Sequence, residues 1–75
     1  MKNEIEVYKL SGKKTTEYFV IGQNRVKYIW DGLRIKKKTF NHITATKVKQ
    51  ELKRIPTLDF VEFLMNKAQT TTPFI

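Results

Sequence analysis

The 75-residue chain predicts an α+β fold, a small antiparallel β-meander of three to four strands followed by two C-terminal helices packed on one face. Three observations lead there. Residues 4–40 are rich in β-branched and aromatic side chains, cut into short runs by Gly12, Gly22 and Gly32. The dipeptide Asp31-Gly32 separates two of those runs, where it marks a tight hairpin. After Phe40 the apolar spacing changes from two to three and four, the period of a helix.

The first strand, residues 4–10, opens with Glu4 and Glu6 alternating with Ile5 and Val7, and Ser11-Gly12-Lys13-Lys14 turns the chain. The second, residues 15–21, ends in Tyr18-Phe19-Val20-Ile21, an unbroken run typical of a central strand covered on more than one side. Gly22-Gln23-Asn24 interrupts it. Residues 25–30 and 33–40 flank Asp31-Gly32, and a two-residue type I′ turn there pairs Trp30 with Leu33, Ile29 with Arg34, Tyr28 with Ile35, Lys27 with Lys36 and Arg25 with Lys38. A helix is expected over about residues 44–54, with Ala45, Val48, Leu52 and Ile55 along one stripe and Pro56 as its stop. His42 lies just before it as a capping or surface residue. Thr57 caps a second helix with Asp59 in its first turn. That helix is apolar nearly all round, through Leu58, Phe60, Val61, Phe63, Leu64, Met65 and Ala68, and so needs cover on two sides. Residues 1–68 are expected to form one domain and residues 69–75 a C-terminal tail.

Composition narrows the functional classes. A chain this short buries roughly 60% of its unfolded surface, enough for one thin core and too little for a second domain or a deep substrate cleft. With no cysteine and a single histidine, His42, neither a disulfide framework nor a metal or cofactor site is expected. Ser11 is the only serine and sits in a turn, and the seven carboxylates are scattered without an acid–base pair or a triad, so the expectation is a non-enzymatic protein. No apolar run approaches the ~20 residues of a membrane span and no signal-peptide core follows Met1, which together lead to a soluble, cytoplasmic chain.

Charge carries the functional expectation. Fifteen Lys and Arg against seven Asp and Glu give a net +8, a balance suited to a polyanion partner. Residues 11–54 hold twelve of those cations against only Glu17, Asp31 and Glu51. In the predicted hairpin register, Val26, Tyr28, Trp30, Leu33 and Ile35 share one face. Arg25, Lys27, Arg34, Lys36 and Lys38 share the other, broken only by Ile29, with two cation pairs directly opposed. Like charges across a strand pair are destabilising, and a regularly charged anion such as a nucleic-acid backbone relieves them. A turn at Gln23-Asn24 would pair Ile21 with Val26 and Phe19 with Tyr28, bringing Tyr18 onto the basic face as a stacking ring. The predicted nucleic-acid-binding set is therefore Arg25, Lys27, Arg34, Lys36, Lys38 and Tyr18. DNA is favoured over RNA. The competing account is a solvated sheet surface whose lysines maintain solubility and blunt the sheet edge. Opposed cation pairs and the localisation of charge favour the functional one.

Two family resemblances point the same way. The stretch KYIWDGLRIKKKTFNHITATKVKQEL, from Lys27 to Leu52, is similar in outline to the arm-type DNA-binding domains of tyrosine integrases. That resemblance implies a three-stranded sheet lying in a major groove, with Lys27, Arg34, Lys36 and Lys38 facing it; the chain departs from the family by a leading strand and a second apolar helix. The segment EYFVIGQNRVKYI followed by DGLRIKKKTF also looks like the recognition helix and wing of small winged-helix excisionases, which implies a helix over residues 15–29. Tyr18-Phe19-Val20-Ile21 is poor in helix formers and speaks against it. Either resemblance implies a regulatory or accessory factor of a phage or mobile element. The alternative class is a protein-interaction module or inhibitor that docks on an acidic host protein through its basic face or its apolar C-terminal helix, or a homodimer, with Phe60, Phe63 and Phe74 as contacts.

Overall fold

The computed structural model describes residues 4–70. Its elements run β1 (Glu6–Ser11), β2 (Thr16–Ile21), β3 (Arg25–Trp30), β4 (Ile35–Thr39), α1 (His42–Glu51), β5 (Lys53–Ile55) and α2 (Thr57–Thr70). The strands form one antiparallel sheet in the order β4-β3-β2-β1-β5. The α+β class holds, with two departures from expectation. The sheet has five strands, and the two helices cover opposite faces instead of sharing one.

The register of β2 explains the helices. Tyr18 stands opposite Lys9 of β1 and Tyr28 of β3, while Phe19 stands opposite Tyr8 and Lys27. Consecutive strand residues point to opposite faces, and both rings are buried, Tyr18 at 6% exposure and Phe19 at 5%. On one face Val7, Tyr18, Val20 and Tyr28 are covered by Phe60, Phe63 and Leu64 of α2. The Tyr18 ring lies 5.4 Å from Phe60 and 4.5 Å from Phe63, and Trp30 meets Phe63 edge-on at 6.3 Å. On the other face Tyr8, Phe19 and Ile21 are covered by Val48 of α1 together with Phe40 and Leu52. Phe40 packs edge-on against Phe19 at 5.4 Å.

The helix ends differ from expectation for identifiable reasons. Asn41 caps α1, its side-chain oxygen accepting from the Thr44 amide at 2.9 Å, so the helix starts at His42. It also stops earlier than predicted. Leu52 is extended although its amide still donates to the Val48 carbonyl, and the following Lys53, Arg54 and Ile55 become β5 on the outer edge of β1. Pro56 disfavours a helical Ile55, and pairing with Val7 gives that extended backbone a ladder to join. Helix α2 runs to Thr70, into the segment expected as a tail, and the remainder of that tail, Phe74 included, lies outside the described residues. The winged-helix likeness is overturned, since the residues it required to be helical are β2 and β3.

Tyr18→Ala and Phe19→Ala are each expected to destabilise the domain by about 3 kcal/mol, the range for truncating a buried aromatic. Urea unfolding measures both. A loss under about 0.5 kcal/mol for Tyr18→Ala, the range of a surface substitution, would place that ring outside the core.

Candidate nucleic-acid interface

The β3–β4 hairpin closes through a four-residue turn, residues 31–34, and not through the two-residue turn predicted. The Asp31 carboxylate accepts from the Leu33 amide at 2.9 Å and the Arg34 amide at 3.0 Å, and the Asp31 amide donates to the Arg34 carbonyl at 3.4 Å. Side-chain capping of this kind favours the wider turn. A type I′ turn needs two residues of positive φ, and among the described residues only Gly32, at 96°, has one. The ladder therefore slips by two residues, so that Trp30 pairs with Ile35, Ile29 with Lys36 and Lys27 with Lys38. A slip of two leaves every strand side chain on its predicted face. Leu33 is the casualty, moved from the apolar face to the hairpin tip at 76% exposure.

The predicted basic face survives with altered partners. Arg25, Lys27, Lys36 and Lys38 lie on the α1 side of the sheet, and Arg34 sits in the turn. Only Lys27 and Lys38 are directly opposed, in place of the two predicted pairs. Lys27 is half-buried, 3.5 Å from the Glu17 carboxylate and over the Phe19 ring. Arg25 is exposed and donates from Nε to the Phe40 carbonyl at 3.2 Å. Arg34, Lys36 and Lys38 are exposed, and among the described residues no carboxylate oxygen lies within 4 Å of them.

Tyr18 does not belong to this surface. The turn before β3 spans residues 22–24, with the Gly22 amide donating to the Asn24 carbonyl at 3.0 Å, and it pairs Ile21 with Arg25 and Val20 with Val26. Relative to the predicted pairing this is a slip of one residue, which exchanges the faces of the strand. Phe19 replaces Tyr18 on the basic side, and α1 covers it there. The open three-stranded face implied by the integrase resemblance is thus crossed by a helix.

Two further cations join the surface through topology. In a meander the first and third turns emerge at the same end of the sheet, and here Ser11 pairs with Thr16, Thr16 with Trp30 and Trp30 with Ile35 in adjacent ladders. Lys13 and Lys14, exposed in the turn closed by the Gly12 amide on the Thr15 carbonyl, thereby share an end with Leu33 and Arg34. The strand count and turn spacing in the sequence carried that signal, and the predicted site omitted both residues.

Glu17 and Glu6, on the α1 side, are held by neighbours. Glu6 accepts from the Tyr8 hydroxyl at 2.9 Å and lies 4.0 Å from both Lys49 and Arg54. Burial, then the bond to Glu6, pushes the Tyr8 hydroxyl above the ordinary phenol range. At the tip, the Arg34 and Leu33 amides hold the Asp31 carboxyl below the ordinary carboxylate range. Among the described residues no cluster of His, Asp or Glu could hold a metal ion, and no helix is long and apolar enough to cross a membrane.

The depressed Asp31 pKa fixes the sign of a pH effect. Its two hydrogen bonds support the turn above the titration range of a free aspartate and are lost as pH falls through the lower folded-state value. The amide resonances of Leu33 and Arg34 should titrate in NMR with a midpoint below that of a free aspartate, and a midpoint at or above it would contradict the turn geometry. No protein-family model, curated protein or solved structure matches the chain, so the functional reading rests on this geometry.

Proposed function

We propose that the protein is a small non-enzymatic module that binds double-stranded DNA by its phosphates, through Arg25, Lys27, Arg34, Lys36 and Lys38 of the β3–β4 hairpin. The observation that carries this is the concentration of exposed cations on one hairpin, where Arg34, Lys36 and Lys38 make no salt bridge within 4 Å among the described residues and the Asp31 carboxylate acts on Lys36 from farther away. An array of phosphates supplies the missing counter-charge. Duplex is favoured over single strand because every described aromatic ring is buried or half-buried. Stacking on unpaired bases needs an exposed ring, whereas gripping a duplex backbone does not. Phosphate contacts carry no sequence information, and only Arg25 and Arg34 on the hairpin suit bidentate guanine recognition, so sequence preference is modest. A regulatory or accessory role in a phage or mobile element accords with such a module.

A second reading, a protein-docking module, draws on α2. Phe60 and Phe63, contacts expected from the sequence, turn towards the sheet, and among the described residues the exposed large apolar side chains of the helix are Leu58, Val61 and Met65. They form a stripe at spacings of three and four.

Fluorescence anisotropy against labelled duplex DNA, single-stranded DNA and RNA across a salt series tests the proposal. Duplex should bind most tightly, with a slope of log affinity on log salt of about −3 to −5, near 0.9 per phosphate. Arg34→Glu with Lys36→Glu should lower duplex affinity by at least about tenfold at low salt and leave the unfolding curve unchanged. Absence of binding to all three at low salt would overturn the proposal and turn attention to the α2 stripe.

A further inference from the structure

We infer that the hairpin tip is a wedge: Leu33 enters the minor groove of double-stranded DNA and opens a base step, Arg34 holds the phosphate beside it, and Lys13 and Lys14 of the neighbouring turn hold the backbone on one side of the groove. The wedge rests on the duplex-binding reading above and adds to it a deformation of the DNA.

Four features of the sheet end support it. Leu33 is the most exposed of the large apolar residues described, at 76%, and Gly32 next to it faces open space. Among the described residues Leu33 belongs to neither core cluster. Among groove-binding proteins, leucine is one of the side chains that wedge between base steps.

The tip is also braced by hydrogen bonds. The Leu33 amide is one of the two groups held by the Asp31 carboxylate, which biases the backbone carrying the side chain towards this turn in the free protein. Preorganisation of this kind removes an ordering penalty from binding. The Asp31 oxygen that accepts those two amides is directed into the turn.

Spacing provides the third feature. Neighbouring strands lie about 4.8 Å apart, so the axes of the β1–β2 and β3–β4 hairpins are separated by about 10 Å. The minor groove is about 6 Å wide. A tip centred in the groove therefore places the adjacent turn outside the groove edge, on the backbone side of one strand, and the long Lys13 and Lys14 side chains span the remaining distance to its phosphates.

The fourth feature is charge. Lys13, Lys14 and Arg34 are exposed at this end, against Asp31 alone among the residues of the two turns. Unstacking a base step is unfavourable, and the contacts made by these three cations, together with burial of Leu33, offset it.

The test uses the full chain and duplexes carrying 2-aminopurine at a TA step, a step that opens readily, with fluorophores at the two ends. Wild-type protein should raise the 2-aminopurine fluorescence and shorten the end-to-end distance. Leu33→Ala, at an exposed turn position, should lose both signals while its affinity falls no more than about tenfold and its salt slope is unchanged. Lys13→Ala with Lys14→Ala should flatten the slope by about one to two units. Binding without either signal, or signals that persist in Leu33→Ala, would overturn the wedge and leave duplex binding standing. No binding of the wild-type chain to the duplex would overturn both.

Discussion

Two adjacent aromatic residues on β2, Tyr18 and Phe19, are both buried and point to opposite faces of the sheet. Neighbouring β1 repeats the arrangement with Val7 and Tyr8. A sheet whose inner strands are apolar on both sides cannot leave either face in water, and each face takes one helix. Helix α2 closes over Tyr18 and Tyr28, and α1 closes over Tyr8 and Phe19. Helix α2 also reaches Tyr28 and Trp30 of β3, so the part of the β3–β4 hairpin left to solvent is the outer residues of β4 and the turn. Its exposed residues are those that tolerate solvent, Lys36, Lys37, Lys38 and Thr39 on the edge strand. The cations are therefore gathered where the core does not reach, and any anionic partner must approach from the hairpin or the sheet end.

Much of this was legible before any coordinates. The run from Tyr18 to Ile21 reads as a strand covered on more than one side, and the alternation in β3 and β4 separates Val26, Tyr28 and Trp30 from Arg25, Lys27, Lys36 and Lys38. What the residues did not disclose is turn length. Asp31-Gly32 favours a two-residue turn on dipeptide preference, yet the Asp31 side chain captures two amides and stabilises a turn of four. That error moved the ladder by two and did little harm to the face assignment. Gln23-Asn24 gave a weaker signal, the error there was one residue, and Tyr18 went to the wrong face. Strand β5 was hidden because Lys53, Arg54 and Ile55 continue a helical spacing, and only the unpaired edge of β1 offers them an alternative.

The candidate site shows the same division between local and long-range information. Four of its hairpin cations, Arg25, Lys27, Lys36 and Lys38, follow from alternation, a local property, whereas Arg34 sits in the turn. Lys13 and Lys14 join them only through the order of the strands, which brings two turns distant in sequence to one end. Leu33 reverses its role entirely, from core partner of Trp30 to an exposed tip, on the strength of a single capping carboxylate. The fold thus converts a modest difference in turn chemistry into a difference in what the surface presents.

Amide chemical-shift mapping of the 15N-labelled protein, titrated with a short DNA duplex at low salt, tests the placement of the binding surface most directly. The account predicts shifts concentrated in residues 12–15, 25–27 and 31–39, with Leu58, Val61 and Met65 unchanged. Shifts confined to α2, or no shifts at all, would contradict it.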